Sequence, residues 1–233
     1  PTRRSSDLIQ EISALLANEP TISFHVDAVQ AIGKIPVSAY LTDRVDFATF
    51  SGHKFHAVRG VGFVYKKAGK KITPFLTGGG QEKDLRSTTE NVAGIASMAK
   101  ALRLVTDKEE FSLPKIAKMK KIIFDELAKY EDITIFSGEG EDFAPNILTF
   151  GIKGVRGEVV VHAFEEHQIY ISTTSACSSK AGKPAGTLIS MGIPTKLAQT
   201  AVRISLDDDN DMGQVEQFLT IFKQVYAKTQ KVR

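Results

Sequence analysis

Short apolar runs that alternate with helical patterns constrain the fold of this 233-residue chain more than any other feature. The run TISFHVDA ends near Asp27, DRVDFATF leads into Ser51, and GVGFVYKK follows Gly60. Before the first run, residues 7–17 place apolar side chains at helical spacing. A helix beside short strand-like runs of this kind predicts an α/β layer.

The rest of the chain mixes further strand and helix patterns. Helical periodicity predicts one helix over about 91–104 and a second, longer helix over about 108–130, entered through Pro114. Beyond them, short apolar runs alternate with helical patterns, which predicts a small α+β domain. We therefore divide the chain into residues 1–107 and residues 108–233.

Composition argues against several classes of protein. Charged residues make up 24% of the chain and the formal net charge is +3, with basic and acidic residues interleaved, so no basic tract indicates binding to nucleic acid. No apolar run approaches the roughly 20 residues that a membrane span needs. The single cysteine, Cys177, permits no intramolecular disulfide and no cysteine-based metal cluster, and it favours a reducing compartment such as the cytoplasm.

Polar residues of three types stand at or inside the predicted strands. Asp27 follows the first run, Lys54 lies in SGHK directly after the second, and Arg203 lies inside the apolar run VRISL. Each has an ordinary explanation, since a helix cap, a surface turn and a structural ion pair would account for them. Sites of α/β proteins, however, gather at the carboxyl ends of strands, which makes the first two positions candidates for one site.

Together these residue types fit a site for pyridoxal phosphate (PLP). A lysine amine can bind the cofactor aldehyde, and a carboxylate can hold a proton on the pyridine nitrogen. Serine and histidine side chains, here Ser51 and His53, can donate hydrogen bonds to the phosphate. A guanidinium can clamp the carboxylate of an amino-acid substrate through two parallel hydrogen bonds. The combination predicts PLP chemistry on an amino acid.

Seven short segments extend this pattern along the chain. They are, in order, HVDAVQ, SGHK, GGGQE, RSTTEN, APNI, SACSS and VRISL. In this order they resemble the cysteine desulfurases of the class V aminotransferase group, PLP-dependent enzymes of fold type I, from about residue 20 to the carboxyl terminus. The resemblance implies that residues 1–107 are the carboxyl-terminal part of the PLP-binding large domain, an α/β domain with a mostly parallel sheet and helices. It also implies that residues 108–233 are a small α+β domain with a mobile cysteine loop.

The resemblance also implies a role for each matching residue. Lys54 would carry the cofactor, Asp27 would pair with the pyridine nitrogen, and Gln30 would donate to the ring 3-hydroxyl oxygen. Ser51 and His53 would bind the phosphate.

Two further roles come from the same resemblance. Thr89, in RSTTEN, would reach the phosphate site of the neighbouring subunit in a homodimer, and Arg203 would bind the substrate carboxylate. His56 matches no role, so we expect it to pack in the core.

Cys177 lies among small and polar residues in ISTTSACSSKAGKPAG. A buried small hydrophobe is the commonest fate of a free cysteine, but this run is poor core material and favours a mobile loop, where a thiolate can act as a nucleophile. The resemblance implies that Cys177 takes the sulfur of L-cysteine, which leaves L-alanine and a protein-bound persulfide. The persulfide would pass to a sulfur-acceptor protein, either an iron–sulfur scaffold or a tRNA-thiolation enzyme.

The chain also departs from the family pattern. Residues 57–60 read AVRG where Gly-Pro-Lys-Gly is commoner. In the resembling family a long segment precedes the HVDAVQ region and supplies much of the sheet and one wall of the cofactor pocket. We therefore expect this chain alone to bind PLP poorly and to turn over slowly or not at all.

Two alternative interpretations of the same residues stay open. A related PLP enzyme, such as a selenocysteine lyase, would share the cofactor residues, although SACSS favours a desulfurase. The chain could instead be a non-catalytic interaction module, or a sulfur carrier that accepts a persulfide at Cys177 without PLP.

Overall fold

The computed structural model describes residues 5–138, 140, 143–173 and 186–230. They form two compact units, one from Ser5 to Glu110 and the other from Phe111 onward. Each unit has its own buried apolar cluster. The assignment of these units to a cofactor-binding domain and a small domain with a cysteine loop stays a prediction.

The first unit contains a helix followed by a three-stranded sheet. Helix α1 is Ser5–Leu15, and strands β1, β2 and β3 are His25–Asp27, Phe47–Ser51 and Gly62–Lys66. The central strand β2 pairs in parallel with β1 and antiparallel with β3. A short 3-10 helix, Val37–Ala39, lies in the connection between β1 and β2.

One face of this sheet closes the core of the first unit. The alternation of the strands turns Val26, Ala48 and Phe50 to that face, and each is at most 7% exposed. Phe50 stacks on Phe63 of β3 with 4.5 Å between ring centroids. Because adjacent residues point to opposite faces, the polar residues of β1 and β2 lie on the other side of the sheet.

A buried ion pair centred on Asp46 links the sheet to the end of α1. Asp46 is 2% exposed, and its Oδ2 accepts hydrogen bonds from the Phe24 N–H and from Arg44 Nη1, both at 2.9 Å. Lys70 Nζ lies 3.0 Å from Oδ1 of the same carboxylate. Arg44 Nε donates to the Leu16 carbonyl oxygen just beyond α1 at 2.8 Å, so one guanidinium links the helix end to the start of β2.

Helix α2 runs without a break from Val92 to Leu127. The prediction of two separate helices over 91–104 and 108–130 is therefore wrong. Pro114 lies inside the helix, where it removes one backbone hydrogen bond, but the stretch before it, VTDKEEF, contains no glycine or proline that would end a helix. Buried residues on both sides of the proline hold the helix in place, among them Met98 and Met119.

The second unit is built on a four-stranded antiparallel sheet in the order β4-β5-β7-β6. The strands are Ile133–Ile135 (β4), Ile147–Ile152 (β5), Ser172–Thr173 (β6) and Ala201–Ser205 (β7). The helices are Gly157–Glu165 (α3), Gly186–Ser190 (α4), Thr195–Ala198 (α5) and Met212–Gln230 (α6).

Helices cover one face of this second sheet. Phe150 and Val202, both 0% exposed, belong to a cluster that includes buried residues of α2, α3 and α6. Phe164 of α3 stacks on Phe218 of α6 with 5.1 Å between ring centroids. The opposite face carries a smaller cluster, made of Phe136, Leu188, Ala198 and Ala201.

In the part of the chain that the structure describes, no helix has the length and apolar character to cross a membrane.

Candidate active site

The parallel pairing of β1 with β2 brings two candidate segments to one edge of the first unit's sheet. Asp27, the last residue of β1, is the register partner of Thr49, and β2 ends two residues later at Ser51. Because the two strands run in the same direction, their carboxyl ends meet at the same edge. Backbone pairing thus makes Asp27 and the SGHK segment neighbours, although Asp27 and Ser51 are 24 positions apart in the sequence.

The SGHK segment forms a tight turn directly after β2. Gly52–Phe55 is a single turn of 3-10 helix, and its last residue, Phe55, is 1% exposed and anchors it in the core. The Gly52 N–H donates to the Val61 carbonyl oxygen at 2.9 Å. A Cβ at position 52 would lie 3.0 Å from that oxygen, so the turn leaves little room for a larger residue. The turn ends at His56, whose φ of +71° is left-handed.

The side chains of this turn differ in exposure. Ser51 and Lys54 are half-buried, and His53 is exposed. The burial of Phe55 fixes the backbone of the turn that carries Lys54. His56 is exposed, so the expectation that it packs in the core is wrong.

Asp27 and Gln30 lie in the turn that follows β1. Asp27 is exposed, and its Oδ1 accepts a hydrogen bond from the Val29 N–H at 3.1 Å. This contact is an Asx turn, which holds the carboxylate at the end of the strand. The explanation of Asp27 as a helix cap does not hold, because residues 28–35 form turns rather than an α-helix. Gln30 is exposed one residue beyond the Asx turn.

Two residues that the sequence analysis did not select share this polar sheet face. His25 lies two residues before Asp27 on β1, and its Nε2 is 3.3 Å from the Thr49 hydroxyl. Thr49 in turn stands opposite Asp27 in the ladder. The sequence could have indicated these residues, because side chains alternate between the two faces of a strand. This alternation places His25 and Asp27 of HVD on one face, and Thr49 and Ser51 of FATFS on the same face of the next strand.

Thr89 lies in the long loop between β3 and α2, and it is exposed. The same loop contains an unusual left-handed turn. Gly80 has a φ of +81°. Glu82, Lys83 and Asp84 also have positive φ values, of +52°, +57° and +63°. The Asp84 N–H donates to the Gly80 carbonyl oxygen at 3.0 Å and closes the turn.

Arg203 lies in the middle of β7 in the second unit, paired with Thr149 of β5 and Ser172 of β6. The guanidinium Nε is buried and has no hydrogen-bond partner among the residues that the structure describes. A buried donor without a partner is unusual in native proteins.

Cys177 lies outside the described residues, in the segment between Thr173 and Gly186. Strand β6 leads into that segment, and its residue Ser172 pairs with Arg203.

A family model described as aminotransferase class-V matches residues 6–218. This match covers both units, and it confirms the resemblance to the class V aminotransferase group.

Several proteins that are similar to this chain have names related to NifS and IscS. A NifS/IcsS protein homolog from Lactobacillus delbrueckii subsp. bulgaricus is 47% identical over 224 residues, which are 96% of this chain and 58% of that protein. A cysteine desulfurase IscS from Dictyoglomus turgidum is 35% identical over 198 residues, 85% of this chain and 50% of that protein. The chain thus spans about half the length of the curated relatives it matches.

A solved structure of a NifS-like protein from Rickettsia africae superposes with a TM-score of 0.80 at 31% identity, over 94% of this chain and 57% of that one. The likeness confirms the predicted α/β fold class. From the family match and this shared fold together, the chain belongs to the class V aminotransferase family.

Proposed function

We propose that this chain is the part of a PLP-dependent cysteine desulfurase that supplies the cofactor lysine, the substrate arginine and the sulfur-accepting cysteine. The observation that carries the proposal is the parallel pairing of β1 with β2, which sets Asp27 beside the strand that leads into Lys54. The names of the two relatives support the same activity, because the chain matches them over 96% and 85% of its length.

The residues present fit the polar groups of PLP. A carboxylate on Asp27, an amine on Lys54 and a hydroxyl on Ser51 suit a pyridine nitrogen, an aldehyde and a phosphate. In the second unit, the buried Arg203 Nε has no partner among the described residues, and an amino-acid carboxylate would supply one. The donor and acceptor types therefore agree with both cofactor and substrate.

Bound PLP would supply an electron sink for bonds at the substrate α-carbon. Asp27 would hold a proton at the pyridine nitrogen, and Gln30 would donate to the ring hydroxyl oxygen. Ser51 and His53 would donate to the phosphate. The Lys54 amine would bind the aldehyde carbon until the substrate amine replaces it, and it would then accept the α-proton.

Cys177 would act on the sulfur of L-cysteine. Its thiolate attacks the substrate sulfur, and the new S–S bond forms as the C–S bond breaks. The carbon keeps that electron pair and takes a proton, which gives L-alanine, while Cys177 becomes a persulfide. The sulfur is oxidised as the carbon is reduced, so the step needs no external oxidant. The pairing of Ser172 with Arg203 supports this role, because the segment that carries Cys177 starts beside the proposed substrate-binding residue.

The test is covalent trapping at Lys54. The chain is incubated with PLP, reduced with borohydride and digested, and the labelled lysine is identified by mass spectrometry. We expect the label to concentrate at Lys54 and to disappear in Lys54→Arg, whereas Lys100→Arg, an exposed lysine of α2, should leave it unchanged. A label spread evenly over surface lysines would contradict the proposal.

A second measurement addresses Cys177. Because we expect weak cofactor binding and slow turnover, the chain is incubated for a long time with excess PLP and L-cysteine. The tryptic peptide that contains Cys177 should then gain the mass of one sulfur, and L-alanine should appear. Cys177→Ala should keep the label at Lys54 and lose sulfide release. Faster alanine formation from selenocysteine with no persulfide would favour a selenocysteine lyase, and persulfide uptake without any label at Lys54 would favour a sulfur carrier.

Further parts of the proposal concern the assembly. Thr89 would reach the phosphate site of a second subunit in a homodimer, and its exposure is compatible with that contact. The sulfur acceptor would be an iron–sulfur scaffold or a tRNA-thiolation enzyme in the cytoplasm. Because the chain spans about half of its relatives, we expect it to bind PLP weakly by itself.

A further inference from the structure

Two hydroxyl residues flank Arg203 across the sheet of the second unit. Arg203 of β7 is the register partner of Thr149 on β5 and of Ser172 on β6. Register partners in antiparallel strands point to the same face, with about 4.5–5.5 Å between their Cβ atoms. One face of the sheet therefore presents a guanidinium between two short side chains that each end in a hydroxyl group.

This face is opposite the large apolar cluster of the second unit. Leu148 and Val202, the sequence neighbours of Thr149 and Arg203, are 0% exposed in that cluster, so alternation turns Thr149 and Arg203 the other way. Thr149 is nonetheless only 9% exposed. The guanidinium Nε is also buried, without a partner among the described residues, and a ligand that brings an acceptor oxygen would satisfy it.

Backbone hydrogen bonds hold Thr149 close to Arg203. The Thr149 N–H donates to the Ser137 hydroxyl oxygen at 2.8 Å, and its carbonyl oxygen accepts from the Phe136 N–H at 2.8 Å. Both backbone groups of Thr149 are therefore engaged on the β4 side of the strand. Its pairing with Arg203 on the other side is thus of the non-hydrogen-bonded kind, in which the two side chains approach more closely. Groups on paired strands also keep their geometry more precisely than groups on loops.

The two ends of this polar strip differ along β7. Ala201, two residues before Arg203 on the same face, is 3% exposed and belongs to the smaller apolar cluster of this unit. Ser205, two residues after Arg203, is exposed. Because one end is closed and the other is open, the face above Arg203 suits a small ligand that enters from the Ser205 end.

We propose that Arg203, Thr149 and Ser172 form one carboxylate site, in which both hydroxyls donate to the carboxylate that the guanidinium binds. A carboxylate offers about four lone-pair positions, and a bidentate guanidinium fills two of them. The hydroxyls fill the other two, one from β5 and one from β6. The ligand is an amino acid with a short side chain. This inference rests on the proposed function and adds Thr149 and Ser172 to it as substrate-binding residues.

The test is a titration of the whole chain with L-alanine, followed by NMR of the arginine Nε–H groups. The Arg203 signal is identified by its absence in Arg203→Lys. We expect a saturable shift of this signal, because the Nε–H group gains an acceptor. L-Alaninamide, which lacks the carboxylate, is the matched ligand and should leave the signal in place.

Two substitutions remove the hydroxyls one at a time. Thr149→Val and Ser172→Ala should each raise the Kd for L-alanine by roughly fivefold to tenfold, because one hydrogen bond to a charged group is lost. Thr149→Ser and Ser172→Thr keep the hydroxyl and should stay within about twofold of the wild type. Thr134→Val is the matched control, because Thr134 pairs with Gly151 on the same face but β5 separates its strand from β7.

Backbone amide spectra show whether each variant is folded, and Ser172→Ala decides the matter if Thr149→Val unfolds. A saturable shift that weakens on loss of a hydroxyl and recovers in the conservative variants supports the site. Absence of a shift in the wild type overturns it, as does an affinity that neither Thr149→Val nor Ser172→Ala changes.

An equal shift with L-alaninamide also overturns the site, because the ligand would then be recognised without its carboxylate. No measurement here uses PLP or the label at Lys54. Failure of the carboxylate site is therefore distinct from failure of the proposed function, which the trapping experiment at Lys54 tests.

Discussion

Asp46 shows how a single residue can hold a strand and a helix end together. Burial by itself raises the pKa of its carboxyl group, but the hydrogen bond from the Phe24 N–H and the contacts with Lys70 and Arg44 outweigh that effect. The net result is a pKa lowered from 3.8 to about 2. The carboxylate is thus more stable in the folded protein than in the unfolded chain, and its ionisation is coupled to folding.

This coupling predicts a loss of stability in acid. The lowered pKa contributes about 2 kcal/mol to the free energy of unfolding above pH 4, and that contribution disappears as the pH falls through about 2. Asp46→Asn should cost about 3 kcal/mol at pH 7, because it leaves Arg44 and Lys70 without their shared partner. Urea unfolding of both proteins at pH 7 and pH 3 measures the two effects.

A matched control separates Asp46 from general acid effects. Asp107→Asn, at an exposed position of α2 in the same unit, should change the free energy of unfolding by less than about 0.5 kcal/mol at either pH. Equal acid sensitivity of the wild type and Asp46→Asn would show that other groups dominate the pH dependence.

At the scale of elements, the left-handed turn at Gly80–Asp84 stores local strain. Glu82, Lys83 and Asp84 adopt positive φ values that L-residues rarely take, at a cost of order 1 kcal/mol each. Aspartate tolerates this region better than lysine, so Lys83 is the clearer position for a test.

Glycine at position 83 should relieve part of this strain. We expect Lys83→Gly to raise the free energy of unfolding by about 0.5 kcal/mol, since the released strain exceeds the entropy that glycine adds to the unfolded chain. Lys118→Gly, in the exposed middle of α2, should instead lower it by about 1 kcal/mol. Thermal unfolding of both variants gives the signs, and two losses of stability would argue that the turn is not strained.

The proline inside α2 leads to a second prediction at this scale. Pro114 removes one helical hydrogen bond and is exposed, so no core contact requires its ring. Pro114→Ala should therefore stabilise the protein by about 1–3 kcal/mol. Denaturant unfolding followed by circular dichroism measures the change. A loss of stability would mean that the proline ring contributes more to the folded state than the missing hydrogen bond costs.

At the scale of the whole molecule, each of the two units buries its own large apolar cluster. Phe222 is 0% exposed in the cluster of the second unit, and Phe55 is 1% exposed in that of the first. Phe222→Ala should cost about 3–5 kcal/mol and should speed amide exchange in β5 and β7. Phe55→Ala should have a similar cost and should speed exchange in β1 and β2. Exchange that rises only in the sheet of the other unit would contradict this division of the core.

Much of the fold could be predicted from local sequence patterns, and the predictions that were wrong failed for physical reasons. The ends of β1 and β2 at Asp27 and Ser51 follow from apolar runs that stop at polar residues. The sequence analysis did not predict that α2 is a single helix. Pro114 costs the helix one hydrogen bond, and the sequence does not show whether side-chain packing before and after the proline outweighs that cost. In the candidate site, the residue types were readable, but the positions of His25 and Thr49 beside Asp27 depend on strand register.

The order of motifs, the kinds of chemistry they permit and the approximate limits of most elements were determined by the sequence alone, because propensity and periodicity act over a few residues. Only the tertiary structure decided that β1 and β2 pair in parallel, that Arg203 Nε is buried without a described partner, and that His25 lies beside Thr49 on the sheet. These features arise from contacts between residues far apart in the chain, where burial and pairing outweigh local preference.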